Sequence, residues 1–288
     1  MWFGKIAVLG AGAMGHGIAE VLAYSGFNVI LKDIDQKFVD DGMRKIDAIL
    51  QERVDKGKLT AEEKGKIMGR VHGTTTYDGF GDVDVVIEAI VEKMDVKKKV
   101  YQELDKVCPP KTIFASNTSA LSISEMAASK NRPRKVVGMH FFNPAQIMKL
   151  VEVVPGMDTS TETVDAIVDL AERCRKLPVV VKESPGFLVN RLLTPVLLEA
   201  VRALDEGIAP ARDIDLAMKA GAGFPMGPFE LADMVGIDIC LEVAETMYRE
   251  FGDSRFAPPP RLRNMVKSGR LGRKSGRGFY EYTKEVGL

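Results

Sequence analysis

The stretch Lys5-Ile6-Ala7-Val8-Leu9-Gly10-Ala11-Gly12-Ala13-Met14-Gly15 decides the fold. Lys5 to Leu9 reads as a buried strand, the glycines follow without a spacer, and Ile18-Ala19-Glu20-Val21-Leu22-Ala23 continues at helical spacing. G-x-G-x-x-G set between a strand and a helix points to dinucleotide binding. Each glycine answers a different need. Gly10 permits the tight turn, Gly12 lets a pyrophosphate approach the backbone, and Gly15 lets the helix pack close on the sheet. The phosphates would sit at the helix N-terminus, where unpaired N–H groups and the dipole favour negative charge. Gly10, Gly12, Ala13, Met14 and Gly15 are therefore the candidate phosphate loop.

A second strand, Asn28-Val29-Ile30-Leu31-Lys32, ends at Asp33. An acidic residue about 20 residues past the glycines accepts hydrogen bonds from an adenosine ribose and repels a 2′-phosphate. Asp33 thus favours NAD over NADP, although Lys32 beside it softens that preference.

Composition sets the bounds. At 288 residues, 45% hydrophobic and 28% charged, the chain has room for two ordinary domain cores. Forty basic and forty acidic residues cancel, so no global field draws it to nucleic acid or an anionic membrane. Cys108, Cys174 and Cys240 have neither metal-ligand spacing nor an even-numbered framework. Reduced, structural thiols fit a cytoplasmic chain. The first strand begins close to Met1, which leaves no room for a signal peptide, and no run of about 18 apolar residues is present to span a bilayer.

Along the chain, residues about 36–69 are charged, with Phe38, Met43, Ile46, Ile49, Leu50 and Val54 at helical spacing. Gly57 punctuates them, and Thr60-Ala61-Glu62-Glu63 reads as a capping box. These features predict a helical hairpin with a basic tip at Lys56-Gly57-Lys58, either a solvated insertion or a phosphate-holding device. Strands are then expected at Val83–Glu88, Thr112–Ala115, Lys135–Met139, Leu150–Val154 and Val179–Val181, with helices at Val96–Val107 and Glu162–Cys174. This alternation is that of a Rossmann-type α/β domain with a mostly parallel sheet and a helical-hairpin insertion, whose ligands lie at the strand carboxyl ends. Lys182-Glu183-Ser184-Pro185-Gly186 marks the boundary, giving domains of 1–184 and 185–288. The second reads as all-α, opening with a long apolar helix from Phe187 to Glu206. Its apolar residues fall on more than one face, which calls for partners on several sides, a second subunit among them.

Three histidines are present. His16 and His72 read as packed or surface residues. His140 stands at the carboxyl end of a strand on the cofactor edge, and Glu152 lies just inside the next strand. A histidine–carboxylate pair suits alcohol oxidation by hydride transfer: neutral imidazole accepts the hydroxyl proton near neutral pH, and the carboxylate orients the ring. Spacing alone does not bring the two into contact.

The chain resembles the 3-hydroxyacyl-CoA dehydrogenase family over essentially its full length. The match is carried by V-L-G-A-G-A-M-G-H-G-I-A near the start, E-A-I-V-E at 88–92, A-S-N-T-S from Ala115, G-M-H-F-F-N-P from Gly138 and M-K-L-V-E-V from Met148. P-G-F-L-V-N-R from Pro185, P-M-G-P-F-E-L from Pro225 and L-G-R-K-S-G-R-G-F-Y from Leu271 complete it.

The resemblance implies that His140 is the catalytic base, Glu152 its carboxylate partner, and that Ser119 and Asn190 bind the substrate oxygens. It implies cofactor contacts at Glu92, Lys97, Asn143 and Lys274 and a coenzyme A contact at Lys56. It further implies NAD as cofactor, a short acyl-CoA substrate (3-hydroxybutyryl-CoA and acetoacetyl-CoA), no metal, and a homodimer through the helical domain. Ala120, Ile49 and Gln146 depart from residues common in relatives, at positions bearing on acyl-chain and coenzyme A binding. Two rival readings stay open from the residues: a dehydrogenase of a free 3-hydroxy acid, and a non-catalytic dinucleotide-binding protein on the same scaffold.

Overall fold

The computed structural model describes residues 3–128 and 131–282, which divide into two units on either side of Glu183 and Ser184. The first holds one eight-stranded sheet. Its strands are β1 (Lys5–Leu9), β2 (Asn28–Lys32), β3 (Val71–Thr74), β4 (Val85–Glu88), β5 (Ile113–Ser116), β6 (Val136–Phe141), β7 (Leu150–Pro155) and β8 (Leu177–Val180). They lie in the order β3-β2-β1-β4-β5-β6-β7-β8. Every neighbouring pair is parallel except β6 and β7.

Central parallel strands are covered on both faces, so they read as continuous apolar runs rather than alternating ones. Ile6, Ala7 and Val8 on β1 and Val85 and Ile87 on β4 are accordingly fully buried. The helices of this unit are α1 (Gly15–Tyr24), α2 (Gln36–Asp55), α3 (Ala61–Met68), α4 (Met94–Val107), α5 (Ile123–Ala128) and α6 (Thr161–Arg173). Ile18 and Leu22 of α1 join the sheet residues in one core with Ile167 and Leu170 of α6.

The predicted hairpin is α2 and α3. Asp35 caps α2, and Thr60 and Glu63 form the expected capping box on α3. Its phase differs by one residue at the start. Val39, Gly42, Ile46 and Leu50 face inward, whereas Phe38 is 48% exposed. Gly42 meets the side chain of Ala11 and cannot give way to a larger residue, and this contact sets which face turns in. The short α5 was not expected from the sequence. Ser122 Oγ accepts from the Glu125 backbone N–H at its start.

The second unit comprises α7 (Val189–Asp205), α8 (Ala211–Ala222), α9 (Pro228–Val235), α10 (Ile237–Phe251) and α11 (Pro260–Lys267). Strand pairing among its described residues is confined to the isolated bridges Gly272–Arg277 and Arg277–Glu281. Leu198, Val201, Phe229, Ile237, Ala244 and Leu262 form its core. Two buried aspartates organise its polar interior. Asp215 accepts from the backbone N–H groups of Phe229 and Glu230 at the start of α9 and from the Tyr280 hydroxyl. Asp233 accepts from the N–H groups of Phe279 and Tyr280 and from the Tyr282 hydroxyl. No helix among the described residues is long and apolar enough to cross a membrane.

Candidate active site

The glycine loop has the geometry its spacing predicts. Gly10 lies at φ +92°, where a side chain would be strained. A Cβ on Gly15 would fall 1.7 Å from the Gly10 carbonyl oxygen, while one on Gly12 would meet nothing within 4 Å. So Gly10 and Gly15 fold the loop, and Gly12 leaves space in front of it. The first turn of α1 carries no acidic residue, and its free N–H groups suit a phosphate. His16 turns back to the Gly12 carbonyl (Nδ1 to O, 2.6 Å), and His72 is exposed.

Asp33 reaches the same loop. Its Oδ2 accepts from the Ala11 N–H at 2.7 Å and its Oδ1 from the Ile34 N–H at 2.7 Å. The carboxylate is thereby fixed at the C-terminal end of β2, where a ribose hydroxyl of a dinucleotide would be recognised. Lys32 does not share that position. Its ammonium lies 4.3 Å from the centre of the Tyr77 ring, and burial lowers its pKa. These residues fit NAD.

The chemistry-bearing residues gather at the other half of the sheet. His140 falls within β6, one residue before its end, and pairs in register with Glu152 on the antiparallel β7. Directly opposed residues of antiparallel strands bring their side chains together on one face. His140 Nδ1 and Glu152 Oε2 are 2.8 Å apart, with the two residues 4% and 1% exposed. An ionised carboxylate only accepts, so the ring proton belongs on Nδ1. Nε2 then presents its lone pair, and Ser119 Oγ stands 3.2 Å from it. Phe142 lies against the imidazole, ring centres 4.6 Å apart.

Ser119 sits in the loop after β5, and that loop is held from below. Glu92 Oε1 accepts from the Ser119 N–H at 2.9 Å and from the Thr118 hydroxyl. Asn117 Oδ1 accepts from the Phe141 N–H at 2.8 Å, tying the loop to the strand residue after His140. Asn117 and Glu88 escaped the sequence reading, although both stand inside quoted motifs. Their partners are distant in sequence, and no period relates them.

Each of the remaining predicted residues has its own local setting. Lys97 is 1% exposed, its ammonium between Glu88 Oε1 (2.7 Å) and Glu92 Oε2 (3.1 Å). Through Glu92, Lys97 is linked to the loop that carries Ser119. Asn143 is exposed after β6, joined to Pro144 by a cis peptide bond. Lys56, at the hairpin tip, is exposed and ion-paired with Glu52. In the second unit, Asn190 lies in the first turn of α7, half-buried, and Lys274 pairs with Asp238 at 2.6 Å.

A glycine loop with an aspartate at the end of the neighbouring strand, on the same sheet as a buried imidazole–carboxylate pair, defines a dinucleotide-dependent dehydrogenase. The chain belongs to the 3-hydroxyacyl-CoA dehydrogenase family: residues 5–184 match the model of that family's NAD binding domain and residues 186–282 the model of its C-terminal domain. It is 46% identical over 280 residues to the 3-hydroxybutyryl-CoA dehydrogenase of Clostridioides difficile, covering 97% of this chain and 100% of that one. A probable 3-hydroxybutyryl-CoA dehydrogenase of Bacillus subtilis (strain 168) is 45% identical, covering 98% of each. The crystal structure of (S)-3-hydroxybutyryl-CoA dehydrogenase from Ralstonia eutropha superposes with a TM-score of 0.94 at 42% identity, covering 98% of this chain and all of that one. The chain is an NAD-dependent oxidoreductase of this family, with NAD as its cofactor.

Proposed function

We propose that the protein interconverts (S)-3-hydroxybutyryl-CoA and acetoacetyl-CoA, with His140 as acid and base. NAD, when bound, supplies the acceptance and return of a hydride at C3 of the substrate. The protein's share is the proton. In oxidation, His140 Nε2 takes the C3 hydroxyl proton as the C3 hydride departs; in reduction the imidazolium returns it to the forming alkoxide. Glu152 keeps the ring in the tautomer that leaves Nε2 free to accept and stabilises the positive charge that follows. The Ser119 hydroxyl, beside Nε2, donates to the same substrate oxygen. Asn190 is assigned a second donor to the substrate oxygens, which acts most strongly where water is excluded.

The observation that carries this reading is the single line from Glu152 through His140 to Ser119, with spacings of 2.8 and 3.2 Å. The four-carbon acyl group rests on what the relatives at 42–46% identity are named to act on. Lys56 is assigned to the coenzyme A phosphates, Glu92, Asn143 and Lys274 to the cofactor, and Lys97 to the cofactor indirectly. A homodimer through the helical unit accords with its exposed Leu192, Leu216 and Ile239. A cytoplasmic setting accords with free Cys108, Cys174 and Cys240.

Steady-state reduction of acetoacetyl-CoA with NADH, run beside free acetoacetate, tests the reading. Turnover of the thioester with little or none of the acid is expected. Equal use of the free acid, or full activity of His140→Ala, would overturn it. Sedimentation velocity tests the dimer.

A further inference from the structure

Two buried charges of the first unit, Glu88 and Lys97, have no part in the proton transfer just described. Glu88 ends β4 with 0% exposure, and Lys97 on α4 has 1%. Glu88 Oε1 accepts from Lys97 Nζ at 2.7 Å and from the Ile90 N–H at 2.9 Å; its Oε2 accepts from Ser116 Oγ at 2.7 Å. The same ammonium meets Glu92 Oε2 at 3.1 Å, and Glu92 Oε1 accepts from the Ser119 N–H at 2.9 Å. Ser119 Oγ stands 3.2 Å from His140 Nε2. A continuous polar chain therefore runs from the end of β4 to the imidazole.

The two carboxylates on Lys97 are not equivalent. Glu88 is sealed from water and held by three donors, so it cannot turn away without leaving a charge buried and unpaired. The Glu92 side chain is 31% exposed and has water as an alternative partner. Lys97, anchored on Glu88, pairs with one Glu92 oxygen on the inner side. The other oxygen is then directed at the Ser119 peptide. Glu88 is the fixed end of the chain, and the serine loop hangs from its movable end.

We infer that Glu88 is a positioning residue for the reaction: through Lys97 and Glu92 it fixes the Ser119 peptide, and so the place of the Ser119 hydroxyl beside His140. The inference rests on the proposed roles of Ser119 and His140. A buried ion pair that served stability alone would lower activity independently of Ser119. A positioning residue acts through it.

Glu88→Gln separates the two. The amide keeps the size of the side chain and an acceptor for Ile90 or Ser116, but removes the charge that anchors Lys97. In the cofactor-free protein, hydrogen exchange over residues 117–121 is expected to quicken, while the sheet strands keep their protection. In acetoacetyl-CoA reduction, kcat is expected to fall about tenfold or more, since small misplacements of reacting groups are costly. In a Ser119→Ala background the same change is expected to cost less than about twofold, because residues acting as a unit are non-additive. Unchanged exchange at 117–121, or losses that multiply in the double variant, would overturn the inference. Glu88→Asp, which keeps the charge and withdraws it by one methylene, provides the same three readings should the glutamine variant not fold. Failure of the unaltered protein to reduce acetoacetyl-CoA would instead overturn the proposed function, and the exchange measurement would still decide the link from Glu88 to Ser119.

Discussion

Glu152 and His140 face each other across the one antiparallel pair of strands in the sheet, in direct register, with Oε2 and Nδ1 2.8 Å apart. The pair is set by backbone pairing, not by a loop. A one-residue slip of β7 would turn Glu152 to the opposite face. Replacing Glu152 by Gln leaves the shape of the site but lets the ring take the other tautomer, which blocks Nε2 as a proton acceptor. A fall in kcat of about 100-fold or more is expected, within the range of general acid–base effects. The KM for acetoacetyl-CoA should change much less. Steady-state kinetics of the purified variant checks both.

The glycines of the loop should separate into two kinds of defect. A Cβ on Gly15 meets the Gly10 carbonyl oxygen at 1.7 Å, so Gly15→Ala forces backbone apart. Destabilisation of about 1–3 kcal/mol or more is expected, as for other overpacked sites, and denaturant unfolding of the cofactor-free protein measures it. Gly12 has open space where a Cβ would go. Gly12→Ala should unfold as the unaltered protein does but bind NADH more weakly, as titration by fluorescence would show.

Asp33 should govern the choice of cofactor. With its charge fixed on the Ala11 and Ile34 N–H groups, it stands ready to repel a 2′-phosphate. The Lys32 ammonium lies over the Tyr77 ring, 4.3 Å from its centre. Asp33→Asn is expected to narrow the preference for NADH over NADPH by about tenfold or more, from the loss of one like charge at close range. The ratio of kcat/KM for the two cofactors reports it.

Glu20 should leave a signature in the pH dependence of stability. It is 0% exposed on α1, and Arg53 on α2 lies 3.0 Å away without a well-aligned hydrogen bond. Burial raises its pKa above the ordinary 4.5, with Arg53 and Lys176 opposing the rise. The folded protein therefore holds this proton more tightly than the unfolded chain. Its contribution is fully present below about pH 4.5 and is lost as pH rises through the raised value. The stability of the unaltered protein should accordingly decline relative to Glu20→Gln as pH is raised from 4.5 towards neutrality. Urea unfolding of both proteins across that interval checks the sign.

The sequence revealed most where a local pattern has one physical solution. The strand, glycines and helix from Lys5 to Ala23 admit little else, and the capping box at Thr60 marks the start of α3 at Ala61. The strands beside which Ser119 falls and on which His140 and Glu152 lie were legible in the same way. The contact between His140 and Glu152 was not, because Leu150–Val154 is equally apolar whichever way the strand runs. Lys97 shows the other limit. Its motif advertises a charge, but only the fold reveals that Glu88 and Glu92 enclose that charge. Phe38 failed for a subtler reason: helical spacing alone did not distinguish it from Val39, and the tight approach of Gly42 to Ala11 selected Val39.

Asp233 gives the tail of the described chain a structural duty. Its two oxygens gather Phe279, Tyr280 and Tyr282, and a side chain at Gly278 would run into it. Clipping the polypeptide at residue 277 would strip that carboxylate of three donors at a site that is 1% exposed. An anion abandoned in so dry a place pulls in water or a proton, and either would loosen α9 from the inside. Protease nicking near Arg277 should therefore register as loss of cooperativity in the helical unit, well before any further peptide is removed.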